Sequence, residues 1–190
     1  MERFSNITTI DNVTTAIFHT DDVTEVNMLR RSMLGEIKTW SIDIAIFHSN
    51  TTPRHDEIIA QRLGLLVIDH TRFNPTEEEF RTTINIVAPP DKDFFEFTTS
   101  HIPDIPFTYE THIVTMKPGQ ELHCDIIVKQ GSGKIHAKWR PVSIVYFDEH
   151  PEGYLFKFKS VGMMPPEEIL YHGYAHMRDA ALNKPISIFS

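Results

Sequence analysis

The segment from Asp22 to Asn50, DVTEVNMLRRSMLGEIKTWSIDIAIFHSN, carries two periods back to back, and the change between them sets the fold class. In DVTEVNMLRRSMLGE, Asp22 and Glu25 stand at capping-box spacing, and Val26, Leu29 and Met33 recur so as to share one helical face. A helix is predicted there, with Arg30 and Arg31 off the apolar stripe and facing solvent or a partner. In WSIDIAIFHSN the period drops to two: Ile42, Ile44 and Ile46 alternate with Ser41, Asp43 and Ala45, as in a half-buried strand. A helix feeding a strand, with more of both to follow, predicts an α+β chain.

Before the helix, Asn12 to His19 (NVTTAIFH) reads as a short strand. After the strand, TPRHDEIIAQRLGLLVID reads as a second helix opened by Pro53, with Ile58, Ile59 and Leu63 on its apolar side. From about Arg72 to Phe147 the text changes. Most of the prolines fall here, among β-branched runs such as TTINIVA, THIVTM and CDIIVK, so a small β-rich unit inserted between helical flanks is predicted. GYLFKFKSVG alternates as one more strand. MPPEEILYHGYAHMRDAAL starts with two prolines and two glutamates, as helices do, and has Ile169, Leu170, Tyr174, Met177 and Ala181 as its stripe.

The 190 residues, 41% hydrophobic, suffice for one ordinary domain or two small ones around a real core. A net charge of -8 argues against gripping nucleic acid directly, because affinity for phosphates comes from clustered Lys and Arg. The single cysteine, Cys124, allows neither a disulfide framework nor a cysteine-rich metal site and suits a reducing compartment. MERFSNITTI has no signal-peptide core, and no run approaches the roughly 18 apolar residues of a membrane span. The expectation is an intracellular protein without a membrane segment. The Asn-x-Thr triplets at Asn6, Asn12 and Asn50 are then chance.

KQGSGKIHAKW, residues Lys129 to Trp139, invites a phosphate-loop reading and fails it. Five before Gly133 stands Val128 rather than glycine, and Ile135 after Lys134 has no hydroxyl for magnesium. A dinucleotide fingerprint fails because His136 stands where its third glycine belongs. Among eleven histidines, His172 and His176 make the best ligand pair but lack a third partner, and His123 and Cys124 point to opposite faces of a predicted strand. Cys124, in an apolar strand, reads as a buried structural thiol, Glu77 to Glu79 as a solvated face, and Glu167 and Glu168 as a helix first turn. No metal, cofactor or catalytic constellation is expected.

Three stretches, NMLRRSMLGEIKTWSID, RHDEIIAQRLGLLVID and KPGQELHCDIIVKQGSGKIHAKWRPV, in this order and followed by SVGMMPPEEIL, resemble the assembly subunit of multisubunit DNA-directed RNA polymerases. That family comprises the N-terminal domain of the bacterial alpha subunit, its archaeal counterpart and the third-largest subunit of nuclear RNA polymerase II. The HDEIIAQRLGL form is similar to the archaeal and nuclear branch, so a heterodimer with a smaller alpha-like subunit is implied.

The resemblance implies a discontinuous dimerisation domain of helices packed on a sheet, residues 1–71 and 148–190, with residues 72–147 as an inserted β-rich domain. The apolar faces of the first and last helices would be buried against the partner. It further implies a non-catalytic scaffold of the nucleotidyltransferase complex, on which the two large catalytic subunits and small accessory subunits assemble for transcription. The alternative is a stand-alone protein-binding module descended from such a polymerase component. Carried over by position, Asn27, Leu29, Arg30, Arg31 and Met33 belong to the docking helix. His55, Asp56, Glu57, Gln61 and Arg62 anchor the second helix, and Lys134, His136, Lys138 and Trp139 are presented to a protein neighbour. The family's cysteine-rich element is ruled out by the single thiol. An archaeal cytoplasm, a nucleus or a viral factory would each fit.

Overall fold

The first helix, α1 (Val23–Gly35), forms where its apolar spacing predicts. The Asp22 carboxylate accepts a hydrogen bond from the Thr24 N–H at 2.7 Å, a cap worth about 1 kcal/mol. Glu25 does not turn back to close the expected capping box. Thr20 Oγ1 already accepts from the Asp22 N–H, and Glu25 receives Arg3 and the Thr20 hydroxyl instead.

The computed structural model describes residues 3–182. They fall into two compact units, one made from both chain ends (up to Lys38 and again from Ser132), the other from Thr39–Gly131.

In the first unit, β1 (Phe4–Ile10), β2 (Val13–Phe18), β8 (Val142–His150) and β9 (Gly153–Ser160) form an antiparallel sheet in the order β1-β2-β9-β8. β1 is not foreseen from the sequence. Asp11 and Asn12 join it to β2 with positive φ at both, the conformation of a tight hairpin turn that Asp and Asn tolerate. One face of the sheet carries Ala16, Phe18, Phe156 and Phe158 into a core with Val26, Leu29 and Met33 of α1 and Ile169, Leu170 and Met177 of α3 (Pro166–Leu182). The two helices pack closely: a methyl at Gly173 of α3 would come within 2.6 Å of Met33 Cγ. Ala181, expected in the α3 stripe, is exposed.

The second unit holds the sheet β3-β7-β4, built from β3 (Lys38–Asn50), β4 (Glu79–Val87) and β7 (Glu121–Ser132), and the hairpin of β5 (Phe95–Thr98) with β6 (His112–Met116). Its helix, α2 (Asp56–Gly64), starts three residues after Pro53, which lies outside it, and His55 at the N-cap makes no side-chain cap bond. Ile58 stays partly exposed while Ile59 and Leu63 are buried.

Packing therefore draws the boundaries elsewhere than the expected 1–71, 72–147 and 148–190, whose outermost residues, 1–2 and 183–190, lie outside the described ones. Trp40 and Ile42 of β3 and Ile59 and Leu63 of α2 share one core with Ile84, Leu122, Cys124 and Val128. β8, expected in the insert as far as Phe147, pairs with β9 of the first unit from Val142 to His150, with one irregularity after Val142. A unit ends where few contacts cross, and a change in composition does not mark that place.

β3 carries a second difference. Ile42 is buried, but Ile44 and Ile46 are 39% and 46% exposed, and Ala45 and Phe47 pack on the core instead. The alternation slips by one residue after Ile42, which turns Ile44, Ile46 and His48 outward together.

Candidate docking surface

On α1 the motif residues divide by angle. Leu29 and Met33 are fully buried against the sheet and α3, so they offer no surface to a partner. The expectation that the stripe Val26, Leu29, Met33 is a dimer face is thus corrected: the chain's own core covers it. Outward, Val23, Asn27 and Arg31 follow one another four residues apart and make one exposed stripe. Beside it, Arg30 donates through Nε and Nη2 to Asn27 Oδ1 at 3.1 and 3.0 Å, which fixes the guanidinium along the helix.

The glycine-rich loop is attached to the end of this helix. β7 ends at Ser132, and a Cβ at Gly133 would lie 2.0 Å from the Leu34 carbonyl oxygen, so only glycine permits the approach. The Lys134 N–H then donates to the Gly35 carbonyl at 3.2 Å, and the Lys134 ammonium pairs with Glu36 at 2.5 Å. Lys134 thereby satisfies a carbonyl at the helix end and brings a cation to its negative pole.

His136 Nδ1 accepts from the Lys138 N–H and opens a 3-10 turn, Ala137–Trp139. Trp139 is buried, with the Lys138 ammonium 4.3 Å from its ring centroid, so Trp139 anchors the loop and is not presented to a neighbour as expected. Lys134 and His136 are exposed, and Lys138 partly so. Arg31 lies one turn before Gly35 on the same helix face, so α1 and the loop together carry Arg30, Arg31, Lys134, Lys138 and Arg140 on one unit of an otherwise acidic chain.

The second expected group lies on α2, in the other unit, and behaves differently. Arg62 Nη1 donates to the Ile113 carbonyl of β6, and Asp56 accepts from Asn50 Nδ2 at 2.7 Å. Arg62 is half-buried and ties the helix to β6, whereas Asp56, with its bond to Asn50, is exposed like His55, Glu57 and Gln61.

Cys124 is buried in the β7 core. Burial first, then Asp125 and Asp56, pushes its thiol up to about 12, which suits an inert structural cysteine. Glu79 is ion-paired with Arg81 and Lys129, which hold its carboxyl below the usual range, so this end of the triple-glutamate run is a salt-bridged face.

The groups able to hold a metal were not those the sequence suggested. His48, His123 and Asp125 bring their ligand atoms within 4.8 Å of one another on the outward face of β3 and β7. His48 Nε2 and Asp125 Oδ2 are 2.8 Å apart. Bonds from the Thr83 hydroxyl and then His48 hold the Asp125 carboxyl below its ordinary range. Sequence spacing missed this set because it depends on the slip in β3 and on pairing between distant strands.

The first unit is thus a sheet covered by two helices, with cationic side chains at the end of one of them. The family model described as "RNA polymerase Rpb3/Rpb11 dimerisation domain" matches residues 16–181, and the chain belongs to that family. It is 29% identical over 140 residues to the DNA-directed RNA polymerase subunit Rpo3 of Aeropyrum pernix, covering 63% of this chain and 49% of that one. With Rpo3 of Methanocaldococcus jannaschii the identity is 29% over 156 residues, covering 82% and 80%. With the DNA-directed RNA polymerase II subunit rpb3 of Dictyostelium discoideum it is 30% over 161 residues, covering 71% and 53%. The alignments span about half the length of the Aeropyrum and Pyrococcus relatives. Among the described residues no helix is long and apolar enough to cross a membrane.

Proposed function

We propose that this chain is a non-catalytic assembly subunit of a DNA-directed RNA polymerase. It pairs with a small alpha-like subunit, and the pair is the platform on which the two large catalytic subunits, with small accessory subunits, come together. It acts wherever that polymerase transcribes. The chain supplies no catalytic residues of its own and does not grip nucleic acid directly, in keeping with its net charge of -8.

The unit built from both chain ends serves as the dimerisation domain. With Val26, Leu29 and Met33 enclosed, the residues available for pairing lie on the outer sides of the helices, where Val23 of α1 and Tyr171 and Leu182 of α3 are exposed. A permanent pairing of this kind buries on the order of 2,000 Å² or more. One of the large subunits docks on the cationic surface made by Asn27, Arg30 and Arg31 with Lys134, His136 and Lys138. His55, Glu57 and Gln61 form a second contact on the other unit.

The observation that carries this reading is the attachment of the loop to the α1 end through Gly133 and Lys134, which holds separate motif segments as one surface. Guanidinium groups pre-aligned along a helix suit carboxylates or carbonyls on a partner.

The test is co-purification from the native source. The tagged chain is expected to bring down a small alpha-like subunit and both large polymerase subunits; recovery without any large subunit would overturn the proposal. Replacing Arg30 and Arg31 together by Ala should leave folding and pairing intact while weakening large-subunit capture by about tenfold or more. Unfolding of that variant would assign the pair a structural role instead.

A further inference from the structure

We propose that His48, His123 and Asp125 bind a divalent transition-metal ion of the zinc class on the outward face of the β3-β7-β4 sheet. The placement follows from strand geometry. On β7 the side chains alternate, so Leu122, Cys124 and Ile126 enter the core while His123 and Asp125 leave it on the other face. On β3 the slip after Ile42 sends His48 outward to meet them. The two imidazole rings lie 4.8 Å apart between centroids, and the Asp125 carboxylate stands within hydrogen-bond distance of His48.

These distances suit an ion after a small adjustment. Metal–nitrogen and metal–oxygen bonds of about 2.0–2.2 Å place tetrahedral ligand atoms roughly 3.3 Å apart. His48 Nε2 and Asp125 Oδ2, now 2.8 Å apart, need only separate slightly, while the widest pair of the set, within 4.8 Å, must close. Two imidazoles and one carboxylate favour zinc, cobalt or nickel over magnesium or calcium, which require oxygen ligands. The partial exposure of all three residues leaves the fourth position to water.

The carboxylate is already oriented. Thr83 of β4, directly opposite Asp125 in the ladder, donates its hydroxyl to Asp125 Oδ1 at 2.6 Å, which leaves Oδ2 toward His48. Support of a ligating carboxylate by a neighbouring hydroxyl is a recurrent part of metal sites. An ion held here joins β3 to β7 and stabilises the β-rich unit through its binding energy.

The test uses the full chain, stripped of metal with a chelator and titrated with cobalt(II), read by visible d–d absorption, and with zinc, read by calorimetry and thermal unfolding. One equivalent per chain is expected, with a rise in melting temperature on adding zinc. His48→Ala and His123→Ala should each weaken binding by more than about tenfold, and Thr83→Val by a smaller factor. His48 is exposed, so its variant keeps the fold, which circular dichroism verifies. A double variant at His172 and His176 should bind as the parent does. Absence of saturable binding, or one-equivalent binding that survives both His48→Ala and His123→Ala, would overturn the proposal. Polymerase recruitment is read separately and is not required for either outcome.

Discussion

The two helices that carry the most distinctive sequence motifs, α1 and α2, use them in opposite ways. On α1 the motif splits around the helix: Leu29 and Met33 build the core, and Asn27, Arg30 and Arg31 remain outside. On α2 two polar motif residues are bonded within the chain. Arg62 ties the helix to β6, and Asp56 ties it to the end of β3. A motif rich in charge is therefore not by itself a map of a binding surface. What separates the two arginines is where the acceptor lies: Arg62 reaches the carbonyl of Ile113 on another element, whereas Arg30 bonds to Asn27 on its own helix and stays at the surface.

Emptying the core side of α1 has the largest expected effect. Leu29→Ala removes a fully buried side chain and should cost about 2–5 kcal/mol of stability in urea unfolding, with any loss of partner binding secondary to it. A stable Leu29→Ala chain that only loses its partner would restore Leu29 to the interface. Next in size, Arg62→Ala leaves the Ile113 carbonyl without its charged donor and should cost about 1–3 kcal/mol, seen as a lower urea midpoint. If Arg62→Ala left stability unchanged while weakening assembly, α2 would belong with the docking surfaces.

The smallest effect compares the helix starts. Asp22→Ala removes the side-chain cap of α1 and should cost about 1 kcal/mol, whereas His55→Ala, at an N-cap with no side-chain bond, should shift the unfolding midpoint by much less. Equal losses would mean that His55 contributes in some other way.

Much of the fold could be read along the chain. The helical period around Val26, Leu29 and Met33 located α1, and the glutamates after the paired prolines located α3. β1 escaped because Phe4, Ile7 and Ile10 recur every three residues and not every two, and its pairing depends on a turn at Asp11 and Asn12. The candidate surface was half legible. Asn27, Arg31, Lys134 and His136 are exposed and Arg30 partly so, but Trp139, read as part of the presented surface, is the buried anchor of its loop.

An α+β chain, an acidic balance, a lone cysteine and the family to which the chain belongs can all be read from residue order, because period, composition and motif order are linear properties. It takes the folded chain to show that β3 and α2 pack with the insert, that Gly133 must be glycine to pass the Leu34 carbonyl, and that His48 meets His123 and Asp125. The reason is common to all three. Each depends on how closely segments far apart in the chain approach, and that distance is set by packing.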